Sequence, residues 1–373
     1  MLERMIGERE RCPYGNVNWR TCKKITGCTH MHCLSQQQLD NAFASGLELV
    51  SITNYYPSRP WYPLREQTGD LLGQKQFGFI RDGVWHHKEI SFGELFSGEG
   101  KLPPPEEKEA EKLFTNLPPD LLEIPNTEHH DFADTHPFFH ITAPGSLLSS
   151  GTPERVKDAF GLFSAGFAKG CPLPWREAFT HILEELLYPE GGGIIIDHPA
   201  ESRIRANQIC EMLDFDSRVL GMEVYNSCSA DEFAASAELL WDEVLSTRRQ
   251  CFGFCAVDQP RPHWRGKIVL LAEERTPEAC LKAMRQGNFY GKITGDTLDF
   301  EEISFDGRRF YARTNSSETL FRLIAAPGIV CEKSGREFSF LLPGEKASSY
   351  IFLRLDASLA KREMLYAQPI MLD

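Results

Sequence analysis

Apolar residues recur along the chain with two different periods, and each period predicts its own kind of element. Short continuous or alternating apolar runs predict strands at 24–32, 47–53, 121–128, 138–143, 192–197, 221–225, 251–257 and 267–271. Apolar residues three and four positions apart predict helices that begin at Ser35, span 177–187, begin at Ser229, and run from Thr276 to Gly287. This alternation of strands and helices predicts an α/β fold with much parallel pairing.

Two segments interrupt the alternation. Residues 56–120 are rich in proline, glycine and charge, which is typical of an insertion rather than of further regular elements. After residue 294 the pattern changes to alternating strand-like runs with turn residues between them. We therefore predict an α/β domain over 1–294, which carries the insertion at about 56–120, and a β-rich module over 295–373.

Composition narrows the class of protein. The 373 residues include 42% hydrophobic and 25% charged residues, which are the values of an ordinary globular protein. The net charge of −13 disfavours broad binding of nucleic acid, which uses a basic surface. The N-terminus has no apolar signal region, and no apolar run is long enough to span a bilayer. These features predict a cytoplasmic protein with no membrane or nucleic-acid partner.

Candidate chemistry collects at the ends of predicted strands. His30 and His32 are two residues apart, so in a strand both imidazoles lie on one face and can bind one ion. Parallel α/β folds bind their ligands beyond the carboxyl ends of their strands. Other imidazoles and carboxylates lie near predicted strand ends, namely Glu128, His129, His130, His136, His140, Asp197, His198, Glu223 and Asp258. Taken together, the set predicts a metal site.

In their order along the chain, these residues resemble the PHP superfamily (polymerase and histidinol phosphatase) of metal-dependent phosphoesterases. The resemblance extends over nearly the whole chain. It is carried by Thr29-His30-Met31-His32, Ile52-Thr53-Asn54-Tyr55, Glu128, His140, Asp197-His198-Pro199, Glu223-Val224-Tyr225-Asn226, Ala256-Val257-Asp258, Pro277-Glu278-Ala279, Gly287-Asn288-Phe289-Tyr290 and Ala367-Gln368-Pro369-Ile370. It implies a distorted seven-stranded (β/α) barrel followed by a small β-rich C-terminal domain.

The sequence departs from the family pattern in three motifs. The aspartate that usually follows the His-x-His motif is missing, Thr-Asp-His reads Thr53-Asn54-Tyr55, and Asp-x-His reads Asp258-Gln259-Pro260. In trinuclear members these residues largely serve one ion, so the resemblance implies that this chain keeps two ions and lacks the third. The implied ligands are His30, His32, Glu128, His140, His198 and Asp258, with Glu128 as the bridging carboxylate. The predicted cofactors are thus two divalent ions of zinc, manganese or iron.

Several neighbouring residues have less defined roles. His140 is preferred to His136 as a ligand, and Glu223 and Asn226 are expected to order the pocket rather than to bind metal. Weaker candidates are three histidines that could replace lost ligands and three arginines that could hold an anionic substrate: His86, His87, His263, Arg20, Arg59 and Arg203. For each of these, an ordinary surface position is the simpler interpretation.

The function predicted from this set is hydrolysis of a small phosphate ester by a water molecule that two metal ions activate. Asp258 and Glu128 are the predicted catalytic residues, with Asp258 accepting the proton of the water. One alternative is a hydrolase of carboxylic esters or amides on the same scaffold. The other is a catalytically silent binding protein, which Asn54-Tyr55 and Pro260 favour. The sequence predicts neither the identity of the substrate nor the oligomeric state.

Overall fold

The fold is given by a computed structural model. It describes residues 12–33, 35–54, 58–67, 78–81, 84–87, 112–130, 132–135, 138–150, 171, 173–227, 236–259, 265–293, 297–326, 328–344, 350–359 and 363–372. Residues 78–81 and 84–87 are described by their backbone alone.

The described chain forms a mixed α/β structure in which strands outnumber helices. The helices are α1 (Gln36–Ala44), α2 (Trp175–Glu184), α3 (Ala206–Phe215), α4 (Glu238–Leu245) and α5 (Pro277–Gln286), with a short 3-10 turn at Leu64–Glu66. The strands of the N-terminal part are β1 (Lys23–Gly27), β2 (Leu49–Val50), β3 (Gly78–Arg81), β4 (Val84–His87), β5 (Leu122–Glu123), β6 (Glu128–His130), β7 (His140–Thr142), β8 (Ile194–Ile196), β9 (Val219–Asn226), β10 (Phe252–Ala256), β11 (Gly266–Ala272) and β12 (Phe289–Ile293). The strands of the C-terminal part are β13 (Phe300–Phe305), β14 (Arg309–Thr314), β15 (Leu320–Ala325), β16 (Gly328–Ser334), β17 (Glu337–Leu341), β18 (Phe352–Leu359), β19 (Glu363–Ala367) and β20 (Ile370–Met371).

Local sequence signals account for the ends of two helices. The side chain of Ser35 caps α1 by accepting the backbone N–H of Gln38 at 3.3 Å. Thr276 caps α5 in the same way, and Gly287 ends it in the left-handed conformation at φ 71°. The predictions at these three boundaries are confirmed. The predicted cap at Ser229 lies outside the described residues, and α3 was not predicted although it buries Ile209 and Leu213 on one face.

A five-stranded sheet forms the centre of the N-terminal part, in the order β10-β9-β8-β7-β6. The strands β8, β9 and β10 are parallel, while β7 is antiparallel to both β8 and β6. Alternate residues of β8 enter different cores: Ile194 and Ile196 join the core that includes residues of α2, α3 and α4, and Ile195 joins a second core. Because this sheet is covered on both faces, its central strand is a continuous apolar run.

A ten-stranded sheet provides the other side of the second core, through Ile25 of β1 and Ile268 and Leu270 of β11. Its main path is β16-β15-β18-β19-β12-β11-β1-β2-β5, with β20 beside β18. The strands β12 and β19 pair antiparallel, so this sheet combines strands from both sides of residue 294. The domain division at 294/295 therefore stays a prediction.

The closed seven-stranded barrel is not found in the part of the chain that the structure describes. The two large sheets are open, and β10 is an edge strand of the five-stranded sheet. The reason lies in β11, which pairs antiparallel with β1 along one edge and with β12 along the other. Neither edge of β11 is left for β10. An isolated parallel bridge between Met31 and Asp258 joins the two sheets at one end.

None of the helices in the described ranges combines the length and the hydrophobicity that crossing a bilayer requires.

Candidate metal centre

The bridge between the two sheets places Asp258 beside the His-x-His motif. Just beyond β1, the backbone N–H of His32 donates to the carbonyl of Asp258, and the N–H of Asp258 donates to the carbonyl of His30, both at 2.8 Å. As a result, Oδ1 of Asp258 lies 3.2 Å from Nε2 of His32 and 3.6 Å from Nε2 of His30. His32 and Asp258 thus share one face of the pocket, although they are 226 positions apart in the sequence.

Glu128 and His140 reach the same pocket from the beginnings of β6 and β7. The sequence interpretation placed Glu128 at the end of a strand, whereas the structure places it at the start of β6, opposite Thr142 of β7. The start of β7 lies where β8 ends, and the N–H of Asp197 donates to the carbonyl of His140 at 3.0 Å. On the other edge of β7, Oε1 of Glu128 lies 2.6 Å from Nδ1 of His140.

Glu128 lies between two groups of imidazoles. Its Oε2 is 2.9 Å from Nε2 of His32 and 3.3 Å from Nε2 of His30. Its Oε1 is 2.6 Å from Nδ1 of His140 and 3.8 Å from Nε2 of His198. Each oxygen of one carboxylate therefore faces a different pair of histidines, which is the arrangement a carboxylate has when it bridges two ions.

Three overlapping sets of residues bring their donor atoms close enough to hold an ion. Within each set the donor atoms all lie within 4.8 Å of one another. The inner set consists of His30, His32 and Asp258. The outer set consists of Glu128, His140 and His198. The Asp197 set consists of His30, Glu128 and Asp197. All six ligands that the resemblance implied are therefore close together, while their role as ligands stays a prediction.

Asp197 is the donor that the sequence interpretation left without a role. It follows β8 directly, is fully buried, and accepts the hydroxyl of Thr142 at 3.0 Å through Oδ1. Its other oxygen, Oδ2, lies 3.8 Å from Nδ1 of His30. Its position next to His198 at the end of a buried strand was the signal that pointed to it.

Burial and charge act in opposite directions on the imidazoles. Burial lowers the pKa of each histidine, but four surrounding carboxylates raise the pKa of His30 well above its usual value. The same balance raises the pKa of His198 to about 9, where Glu128 contributes most among the carboxylates. In His140 burial prevails over Glu128, and nearby imidazoles lower its pKa further.

The carboxylates respond in two different ways. Burial raises the pKa of Glu128 and of Asp258, but the imidazoles outweigh it, so that the pKa of Glu128 lies well below its usual value and that of Asp258 is about 2. Asp197 has its pKa raised well above the usual value, because burial and the charges of Glu223 and Glu128 prevail over His30. Two carboxylates are thus ionised among imidazoles, while the third favours its neutral form.

Buried atoms without hydrogen-bond partners indicate that this pocket is built to hold something. Among the described residues, Nε2 of His30, Oε2 of Glu128 and Oδ2 of Asp197 are buried against other donors of the sets, and none of them makes a hydrogen bond of good geometry. Such groups normally find partners, and leaving one without a partner costs about 1–3 kcal/mol. All three atoms are nitrogen and oxygen donors in the sets above, so a divalent ion fits them.

Two residues that follow β2 bind the His-x-His segment through hydrogen bonds. Asn54 uses both ends of its amide on one residue: Oδ1 accepts the N–H of Cys33 and Nδ2 donates to its carbonyl, each at 2.8 Å. Thr53 bonds to Met31 through its backbone N–H and its hydroxyl. These residues hold the His-x-His segment in place, and their polar groups do not face the donor sets.

The inner and outer sets differ in exposure. The side chain of His30 is fully buried and that of His32 is 8% exposed, whereas that of His140 is 26% exposed. His140 is therefore the most exposed donor, while Glu128 is 1% exposed and Asp258 and His198 are 10% exposed each.

The weaker candidates are not among the donors of the three sets. Arg20 and Arg203 are exposed, and Arg59 stacks on the ring of Trp61 at 4.8 Å. Residues His136 and His263 lie outside the described residues, and the side chains of His86 and His87 are not described. The choice between His136 and His140 therefore stays a prediction, although His140 is the one placed beside Glu128.

Comparisons with known proteins give little beyond this geometry. No protein-family model matches the sequence, and no curated protein does so. A solved structure from Bacteroides vulgatus ATCC 8482, a two-domain protein containing a predicted PHP-like metal-dependent phosphoesterase, is similar over 87% of this chain and 84% of its own, with 15% identity and a TM-score of 0.43. The donor geometry, and not this likeness, supports the function proposed below.

Proposed function

We propose that the protein is a metal-dependent hydrolase that cleaves small phosphate esters with the help of two divalent ions. The observation that carries the proposal is the position of Glu128, whose two oxygens face His30 and His32 on one side and His140 and His198 on the other. A carboxylate in this position can bridge two ions, and two ions a few ångströms apart are typical of phosphoester hydrolysis.

The donor types agree with this proposal. The two sets offer imidazole nitrogens and carboxylate oxygens and contain no thiolate. Such mixed nitrogen and oxygen donors suit zinc, manganese and iron more than calcium or magnesium, which prefer oxygen alone. His30, His32 and Asp258 would hold one ion, and His140 and His198 the other, with Glu128 shared between them.

When bound, the two ions would lower the pKa of a water molecule and stabilise the negative charge that develops on the phosphoryl oxygens. The side chains of the protein would position the ligands and accept a proton. Glu128 and Asp258 would keep the imidazoles in fixed positions, because their oxygens already lie within 3.3 Å of His32 or His140. Asp258 also accepts a proton from a water at its Oδ1 in this proposal. Its pKa of about 2 makes that oxygen a weak base in the ion-free protein.

Access to the pocket suggests where the substrate binds. His140 is the most exposed of the donors, so an ester would enter from its side and meet the outer set first. A phosphoryl group offers several oxygens to adjacent ions, which is why we favour phosphorus over carbon as the site of attack.

The experiment that tests the proposal combines a metal count with a substrate panel. Protein purified without chelator and saturated with Mn²⁺ or Zn²⁺ is expected to hold about two ions per chain, as measured by atomic emission. It should then release phosphate from at least one member of a panel of phosphomonoesters and phosphodiesters. A metal count near zero refutes the proposal. Turnover of carboxylic esters alone would indicate a carbon hydrolase, and bound metal without any turnover a binding protein.

A further inference from the structure

Glu223 occupies the centre of the hydrogen-bond network behind the inner set. It lies in β9, is 1% exposed, and uses both of its carboxylate oxygens. Oε1 lies 2.9 Å from Nδ1 of His30. Oε2 accepts the backbone N–H of His198 at 2.7 Å and the amide Nδ2 of Asn226 at 2.8 Å. One side chain thus contacts residues of both donor sets.

The contact with His30 fixes the tautomer of its imidazole. A carboxylate oxygen can only accept, so the proton of the hydrogen bond belongs to Nδ1 of His30. Metal binding requires the other nitrogen, Nε2, to be unprotonated, and Nε2 would then present its lone pair toward Glu128 and Asp258, whose oxygens lie 3.3 and 3.6 Å away. Histidine ligands of metals are commonly oriented in this way by a carboxylate on the far nitrogen.

The second oxygen of Glu223 holds backbone that would otherwise be strained. His198 has a φ of 27° and Asp258 a φ of 60°, a region that side-chain-bearing residues seldom adopt. The bond from the N–H of His198 to Glu223 restrains the first turn. Asn226 bonds to Glu223 and, at 3.3 Å, to Oδ2 of Asp258, which restrains the second.

We propose that Glu223 is a positioning residue that does not bind metal itself but sets the tautomer of His30 and the orientation of His198 and Asp258. The inference rests on the proposed metal site and adds to it a residue that controls both of its donor sets. Glu223 acts through other residues, so its removal should weaken metal binding without removing a ligand.

Glutamine at this position is a sharp test, because it keeps the shape and removes one acceptor. All of the partners of Glu223 require an acceptor: Nδ1–H of His30 on one side, and the N–H of His198 and Nδ2 of Asn226 on the other. Glutamine has one oxygen and one NH₂ group, so it can satisfy only one side. If its NH₂ group faces His30, the proton moves to Nε2 and blocks the metal. If it faces His198, it meets the N–H of His198 and Nδ2 of Asn226, and neither of these finds its acceptor on residue 223.

The affinity for Zn²⁺ should therefore fall by about 10- to 100-fold in Glu223→Gln, as measured by competition with a chromophoric chelator. The matched control is Glu123→Gln. Glu123 is a half-buried glutamate whose Oε2 accepts the N–H of Leu64 at 2.7 Å, a bond that glutamine can keep. This control should bind Zn²⁺ as the wild type does.

A second measurement separates positioning from a general loss of structure. The second measurement is a proton–nitrogen correlation spectrum of zinc-loaded protein labelled with ¹⁵N-histidine. In the wild type it should show His30 protonated at Nδ1. The signal of His30 is assigned as the one that is missing from the spectrum of His30→Gln. In Glu223→Gln this Nδ1–H signal should disappear or be replaced by an Nε2–H signal. The wild-type spectrum tests the inference even if the variant does not fold.

The outcomes distinguish the inference from the function on which it rests. Wild-type protein that binds no zinc refutes the proposed metal site, and the positioning role with it. Zinc binding by the wild type, with His30 protonated at Nε2, refutes the positioning role alone. So does a Glu223→Gln variant that binds zinc as tightly as the wild type.

Discussion

Removing single donors should divide the metal-dependent stability of the protein into two parts. His140→Ala removes a donor of the outer set only, and His32→Ala removes one of the inner set only. Glu128→Ala removes the residue that faces both sets. If the two sets bind one ion each, the first two variants should each lose one ion, and the third should weaken both.

The size of the effect follows from binding linkage. An ion supplied at 100 times its dissociation constant stabilises the folded protein by about 2.7 kcal/mol. Loss of a ligand that raises this constant about 100-fold leaves about 0.4 kcal/mol from that site. A chain of 373 residues has an unfolding entropy of about 0.8 kcal/mol/K. Zinc should then raise the Tm of the wild type by about 7 °C, that of either histidine variant by about 4 °C, and that of Glu128→Ala by about 1 °C.

The assay is differential scanning calorimetry of each variant with zinc buffered at one free concentration and again with excess chelator. Comparing each variant with its own metal-free form removes the effect of the substitution on the ion-free fold. His181→Ala is the matched control, because His181 lies 47% exposed on α2 and pairs with Glu184 on the surface. A Glu128→Ala variant that keeps half of the wild-type shift would show that the sets do not share this carboxylate. A wild-type shift that either histidine variant abolishes would show that there is only one site.

Three further predictions concern protons and packing. Binding of zinc should release protons and should tighten as pH rises toward about 9, because surrounding carboxylates outweigh burial and raise the pKa of His198 to about 9 in the ion-free protein. Calorimetric titration in buffers of different ionisation enthalpy measures the proton release. An affinity for zinc that does not depend on pH would contradict the prediction. Arg354→Met should lower the free energy of unfolding, measured in urea, by about 3–5 kcal/mol. The reason is that the side chain of Arg354 is 2% exposed and donates twice to Asp242, at 2.7 and 3.1 Å. A loss below about 1 kcal/mol would mean that this ion pair is exposed to water. Gly266→Ala should cost about 3 kcal/mol in the same assay, since its Cβ would lie 1.9 Å from the carbonyl oxygen of Ala256; unchanged stability would contradict this close approach.

Local features of the fold could be predicted from the sequence because neighbouring residues determine them. The run Ile194–Ile196 is a strand buried on both faces, and Thr276 and Gly287 mark the ends of α5 as their side-chain chemistry requires. The pairing of β11 could not be predicted, because its apolar residues fit a parallel and an antiparallel neighbour equally well. Its antiparallel contacts with β1 and β12 decide whether the sheet closes, and they depend on strands far away in the sequence.

The same distinction applies to the candidate site. The two-residue spacing of His30 and His32 is a local pattern, and both imidazoles do face Glu128. Asp258 reaches them through a bridge outside any strand, and it adopts a positive φ that no sequence pattern indicates. The central position of Glu223 depends on His30 and His198, which lie on two other segments of the chain. The sequence could therefore place Glu223 near the pocket but could not show that it bonds to both sets.

Asn54 is a buried polar residue beside the candidate site whose side chain is fully used in hydrogen bonds to the backbone. In a site that decays without selection for binding, substitutions leave buried polar groups without partners, and each such group costs about 1–3 kcal/mol. The amide of Asn54 instead makes two hydrogen bonds of 2.8 Å to the backbone of Cys33, which follows His32 directly. These bonds hold the His-x-His segment in place. Buried atoms without hydrogen bonds are found instead among the donors themselves, at His30, Glu128 and Asp197, where an ion could bind.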